Sequence, residues 1–251
     1  MEEVVAALAE QQQELDALVV GLDEDGWARP SACEGWSVSD VVLHLAQTNE
    51  MAIGSARDEY EATLNGLVEG VQPHAGNVDD GAGLLVAAER GDPPSAVHDR
   101  WARSCQLLCA ALLARAPGDR VQWVMGDMAA RSLATTRLAE TWIHSGDVAA
   151  GLDVTLEPAD RLRHVARLAW RTIPYTFDRA GEPHPGPVAF ELVAPSGADW
   201  TFGDASAPTV IRGPGYDLCR VASRRFPVAD TALTWEGPDG EAVLRLVRTW
   251  A

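Results

Sequence analysis

The sequence has no lysine. All 20 basic residues are arginines, set against 37 aspartates and glutamates, and the formal net charge is −17 at pH 7. Phosphate backbones and anionic bilayer surfaces repel so acidic a chain on average, which argues against nucleic acid and membrane as partners. With abundant Ala, Gly, Val, Asp and Pro, the lack of lysine reads as translation from a GC-rich genome. Cysteine is scarce as well: Cys33, Cys105, Cys109 and Cys219 form no CxxC pair and no disulfide-like framework. No apolar run is long enough to span a bilayer, and the acidic start "MEEVVAALAEQQQELDALVV" lacks the basic head and apolar core of a signal peptide. The expectation is a soluble, cytoplasmic protein without internal repeats or low-complexity tracts.

What is present is ordinary globular material. Of 251 residues, 47% are apolar and 23% charged, enough for one large domain or two ordinary ones. The first half reads as helices. Residues 2–22 place Val4, Leu8, Leu15, Leu18 and Val19 on an apolar face. Ser37 and Asp40 form a shortened capping box that opens a second helix to residue 56. A polar stretch, "NVDDGAG", precedes a third helix near 94–115, and a fourth runs from about Met128 to Gly151. Four long helices predict a bundle.

The texture changes near 152–158. One long helix, "ADRLRHVARLAWRTIPYTF", leads into a proline-rich break. The segment "VAFELVAPSGADWTFG" alternates like two strands around Pro195-Ser196-Gly197, and "APTVIRG" reads as a third. A helix "GPGYDLCRVASRR", a strand "TALTWEG" and a closing helix follow. The fold class is therefore α+β, with a four-helix bundle over 1–153 and a smaller α+β domain over 154–251.

Within the fourth helix, Arg137, Glu140, His144 and Asp147 succeed one another at steps of three, four and three. At about 100° per residue they share an arc of roughly 80° on one face. The opposite face carries Thr135, Ala139, Trp142, Gly146 and Ala150, small or apolar residues suited to packing in a bundle. The charged arc then has two readings: a solvent face with exposed i, i+4 pairs, or a site. On the second helix Val41, Leu45, Thr48 and Ala52 form an apolar stripe with His44 at its edge. A buried histidine needs partners for its ring nitrogens. Two imidazoles and one carboxylate hold Zn²⁺ or a similar ion in three positions and leave others open. Cys105 and Cys109 read as small core residues; Cys33, in "SACEGW", reads either as an inert thiol or as one at a pocket mouth.

"GWSVSDVVLHLA" followed by "RLAETWIHSGDVAAGL" resembles the mycothiol-dependent maleylpyruvate isomerase family, whose N-terminal domain is a DinB-like four-helix bundle. The resemblance rests on Trp36, Asp40 and His44 in the first motif and Arg137, Glu140, His144 and Asp147 in the second. It implies that His44, Glu140 and His144 bind a divalent metal, typically zinc, with Asp147 and Asp40 orienting the ligands. It also implies mycothiol as co-substrate and a catalytic arginine in the C-terminal domain, best matched by Arg225 with Arg224 adjacent. The region from "DRLRHVARLAWRT" to "GPGYDLCRVASRR" looks like the appended C-terminal domain of one subfamily, sometimes labelled wyosine-base-formation. A chain at −17 is poorly suited to holding the tRNA which that label suggests.

The implied chemistry is addition of a metal-activated thiol to a small electrophile, giving isomerisation or S-transfer. The alternative keeps the metal and drops the thiol: a hydrolase, hydratase or cyclase acting on a specialised metabolite through bound water. A third reading is a metal-stapled binding module without catalysis. His74, His98, His164 and His184 have no partner spacing that suggests a role.

Overall fold

A computed structural model describes residues 1–71 and 78–249; His74 lies outside the described residues. The chain divides into two units, Met1–Leu156 and Glu157–Ala251. The first is helical and the second mixes helices with a sheet, as the α+β class requires.

Unit one contains α1 (Glu2–Val19), α2 (Glu24–Ala28), α3 (Val38–Ala56), α4 (Tyr60–Leu67), α5 (Val78–Glu89), α6 (Pro94–Leu113) and α7 (Ala130–Gly151). The four long helices α1, α3, α6 and α7 pack on one another as a bundle. Leu8, Leu15 and Val19 of α1, Val41 and Leu45 of α3, Leu108 and Leu112 of α6, and Leu133 and Leu138 of α7 have no solvent exposure. Fully burying such a side chain stabilises by about 2 kcal/mol. A two-stranded ribbon, β1 (Arg120–Val121) with β2 (Met128–Ala129), leads into α7.

The polar "NVDDGAG" stretch departs from expectation, because Val78 onward is the first part of α5 rather than a loop. The short α4 was not foreseen either. Its position is fixed by Gly54 of α3, where any Cβ would collide with Thr63 of α4.

The start of α3 follows the sequence closely. The Asp40 amide donates to Ser37 Oγ at 3.2 Å, and the Ser37 amide donates to Asp40 Oδ2 at 2.9 Å. Arg90 adds two further bonds to Asp40, from Nε at 2.9 Å and Nη2 at 3.0 Å. Asp40 is thus occupied as a helix cap and ion-pair partner. That corrects its expected role beside a metal ligand.

In unit two a 3₁₀ turn (Asp160–Leu162) precedes α8 (Arg163–Arg171) and α9 (Ile173–Ala180). The sequence suggested one helix here. It breaks at Thr172 because Pro174, lacking an N–H, is accommodated only in the first turn of a new helix. The sheet has the order β4-β3-β5-β6, from β3 (Val188–Val193), β4 (Asp199–Phe202), β5 (Thr209–Pro214) and β6 (Thr234–Glu236). The β3–β4 hairpin is antiparallel, turning through Gly197 at φ 87°, whereas β3 and β5 run parallel. Alternation along β4 sends Trp200 and Phe202 inward. Two helices, α10 (Gly215–Ala222) and α11 (Gly240–Leu246), complete the unit and pack on β5.

Candidate metal centre

Helix α7 buries its charged arc along with Leu133, Leu138, Ile143 and Val148. Arg137, His144 and Asp147 are 1%, 5% and 2% exposed, and Glu140 is half-buried. Gly146 and Ala150 face solvent, Thr135 and Trp142 are half-buried, and only Ala139 of the supposed packing face is fully inside. The charged arc is not a wet face.

Across from it stands His44 of α3. Its ring lies 5.0 Å from the His144 ring, centroid to centroid and nearly edge-on, and 5.1 Å from the Trp36 indole. His44, Glu140 and His144 each offer a ligand atom within 4.8 Å of the others. His144 Nε2 is 3.6 Å from Glu140 Oε2, while His144 Nδ1 is 3.0 Å from Asp147 Oδ2. The ring thus turns Nδ1 to the Asp147 carboxylate and Nε2 to the Glu140 side, where it can serve as a ligand atom.

The loop before α3 reaches the same place. Cys33 Sγ–H donates to Asp147 Oδ2 at 3.0 Å and lies 3.6 Å from His144 Nδ1. The Ala32 amide donates to the Asp147 carbonyl at 3.0 Å. Gly151, one turn on, lets the loop approach so closely that a Cβ there would strike the Pro30 carbonyl oxygen. Cys33 and Trp36 also line a cleft of about 590 Å³. No local sequence signal pairs Cys33 with Asp147, 114 residues away.

Burial pushes the His44 imidazolium pKa well down, and the His144 and Arg137 charges push it further in the same direction. His44 is therefore held in the neutral form that ligates metal. Its ring has no hydrogen-bond partner among the described residues. Arg137 sits one turn before Glu140, its Nη2 donating to Thr48 Oγ1 at 2.9 Å and Asn49 Oδ1 at 3.1 Å. Burial lowers the Arg137 pKa, and the Glu140 carboxylate opposes that shift.

The donor set suits a divalent cation. Two imidazoles and one carboxylate converge there with a ligand atom each, and the His44 ring has no hydrogen-bond partner among the described residues, a set that a divalent ion would complete. Cys33, His144 and Asp147 form a second group of ligand-type atoms within 4.8 Å. That group is already satisfied as a chain of hydrogen bonds onto one carboxylate, so the first set is the better cation site.

Arg225 lies in unit two, just past α10, and is exposed. With Arg224, Phe226, Trp235 and Arg245 it lines a cleft of about 860 Å³. Arg224 adopts φ 62° and donates from Nη1 to the Arg245 carbonyl at 2.8 Å. Among the cysteines, Cys105 and Cys219 are buried and Cys109 is half-buried; burial raises all three thiol pKa values. His98 and His184 pair with Asp16 and Asp178 at 2.7 and 2.6 Å, and neither belongs to the ligand set.

Bundle and site together define a helical domain with a histidine–glutamate–histidine face turned inward. Residues 8–149 match the family described as the mycothiol maleylpyruvate isomerase N-terminal domain, and the chain belongs to that family. Uncharacterized proteins from two strains of Mycobacterium tuberculosis are 33% identical over 248 residues, covering 98% of this chain and 95% of each relative. Two crystal structures of mycothiol-dependent maleylpyruvate isomerase, one of a histidine-to-alanine mutant, share its fold. Their TM-scores are 0.62 and 0.58 at 17% identity, over 95% of both chains.

Proposed function

We propose that this chain is a metal-dependent enzyme that uses a low-molecular-weight thiol, mycothiol, for isomerisation of, or S-transfer to, a small electrophilic substrate. The observation that carries the reading is the convergence of His44, Glu140 and His144 within 4.8 Å inside a bundle of this family. His44, Glu140 and His144 would hold zinc or a similar divalent ion, which would supply stabilisation of the anionic form of a thiol or water. The protein's own groups orient and enclose. In this reading Asp147 would orient the His144 ring at Nδ1, burial favours neutral His44, and the Trp36 indole packs against the His44 ring.

Mycothiol as the thiol rests on the family and on what the solved relatives are named for. The thiol sulfur adds to an electrophilic carbon. In isomerisation the former double bond rotates and the thiol departs; in transfer the adduct is released. We assign Arg225 to clamp a substrate carboxylate in bidentate fashion. Its exposure beside Arg224 and Arg245 in a basic cleft supports that role. The second unit is read, from its sequence motifs, as the appended domain of one subfamily, used here for a small anionic substrate rather than for tRNA.

Elemental analysis of purified wild type and His44→Ala, without added metal, tests the reading. Near-stoichiometric zinc in wild type, lost in the variant, is the expected result. A well-folded wild type that contains no divalent metal and takes up none would overturn it. With metal present, turnover of electrophiles that needs no thiol would favour the hydrolase, hydratase or cyclase alternative.

A further inference from the structure

Arg137, 1% exposed, is the most deeply buried charged residue among those described. Its hydrogen-bond acceptors are the neutral oxygens of Thr48 and Asn49, and its Nε meets no acceptor at all. No carboxylate lies within ion-pair distance of it among the described residues. Folds avoid an enclosed cation without a counter-anion, since an apolar side chain would join the helices at lower cost. The neighbours are occupied elsewhere. Thr48 Oγ1 donates to the His44 carbonyl at 2.8 Å, and Asn49 Nδ2 donates to Ser104 Oγ at 3.1 Å.

The charges of the ligand set explain why the cation is kept. A divalent ion on His44, Glu140 and His144 brings two positive charges, and the Glu140 and Asp147 carboxylates match both. Asp40 is matched by Arg90. Arg137 is left over, one turn from Glu140 and linked to His44 through Thr48. We infer that Arg137 sets the charge of the ligand that completes the centre: it leaves one positive charge in excess and so selects a monoanion over a neutral ligand. Thiolates and carboxylates both belong to that class. In an enclosed, weakly screened interior one charge acts across several ångströms without contact. The inference rests on the metal reading above.

The test uses the full-length protein loaded with Co²⁺ and followed by its visible spectrum. Azide and acetate serve as anionic probes, 2-mercaptoethanol as a thiol that binds as thiolate on releasing its proton to buffer, and imidazole as the neutral one. Arg137→Gln removes the charge. Asn49→Asp keeps the arginine and sets a carboxylate against its Nη2, which carries the test should Arg137→Gln fail to fold. Each is expected to weaken anion binding by about ten-fold while imidazole binding stays within about two-fold. Arg137→Lys is expected to retain the anion preference. A sulfur-to-cobalt charge-transfer band and tighter mercaptoethanol than acetate binding identify thiolate as the preferred source; the reverse order identifies carboxylate. Folded variants that bind cobalt and lose anion and imidazole affinity equally, or lose neither, overturn the inference alone. Failure of wild type to bind cobalt overturns the metal reading and this inference with it.

Discussion

Asp147 receives two donors on one oxygen, His144 Nδ1–H and Cys33 Sγ–H, each at 3.0 Å. Its carboxylate orients the His144 ring so that Nε2 turns toward Glu140. Asp147→Asn keeps the shape and removes the charge, so metal affinity is expected to fall by about 10–100-fold. Competition with a chromophoric chelator measures it; unchanged affinity in a folded variant would mean that Asp147 serves the fold alone. Access divides the cysteines into two pairs, Cys33 and Cys109 half-buried and Cys105 and Cys219 buried. A chromogenic disulfide applied to the native protein is expected to titrate Cys33 and, more slowly, Cys109, leaving Cys105 and Cys219 protected until denaturant is added. Reaction of all four thiols at one rate in the native state would contradict the burial described. At this scale the steps of three, four and three from Arg137 to Asp147 were legible, because helical periodicity places them together. The direction in which that arc faces was not. It depends on His44, Asn49 and Cys33, which come from distant segments.

Two glycines of α7 look alike in sequence and differ in surroundings. A Cβ at Gly146 meets nothing within 4 Å, whereas one at Gly151 strikes the Pro30 carbonyl. Gly146→Ala is expected to stabilise by up to about 1 kcal/mol through helix propensity. Gly151→Ala is expected to destabilise by about 1–3 kcal/mol and to push the 30–36 loop off the helix. Thermal melts of the pair check both; similar effects at the two positions would refute the close approach. The α3 cap belongs to the same scale. Ser37→Ala removes one bond of the reciprocal pair and is expected to cost about 1 kcal/mol in chemical denaturation. That cap could be read from Ser37 and Asp40 alone because capping is local. The division of α8 from α9 at Thr172 was missed even though Pro174 stood in plain view. An apolar pattern that continues across a proline conceals the break.

Over the whole molecule, the helical first part and mixed second part followed from where periodicity shifts. The β3–β4 hairpin followed from Pro195-Ser196-Gly197. The parallel pairing of β3 with β5 did not, since register between non-consecutive strands leaves no local mark. Arg225 belongs to the second unit and the ligand set to the first. Arg225→Ala is therefore expected to leave metal content and melting temperature unchanged while lowering kcat/KM by about 10–100-fold for a carboxylate-bearing substrate, through the loss of a bidentate contact. Metal loss in that variant would assign Arg225 to structure instead. No helix among the described residues is long and apolar enough to cross a membrane.

The polar side chains that α7 buries beside its leucines carry a lesson for anyone engineering this protein. Arg137, His144 and Asp147 on that helix, with His44 opposite, fill interior volume that leucine or methionine would fill with greater cohesion. Directed evolution scored on heat survival alone would drift toward such replacements and return sturdier proteins with an empty, greasy bundle. Robustness and reactivity compete here for the same few side chains, so any such screen has to keep a metal readout beside its heat step.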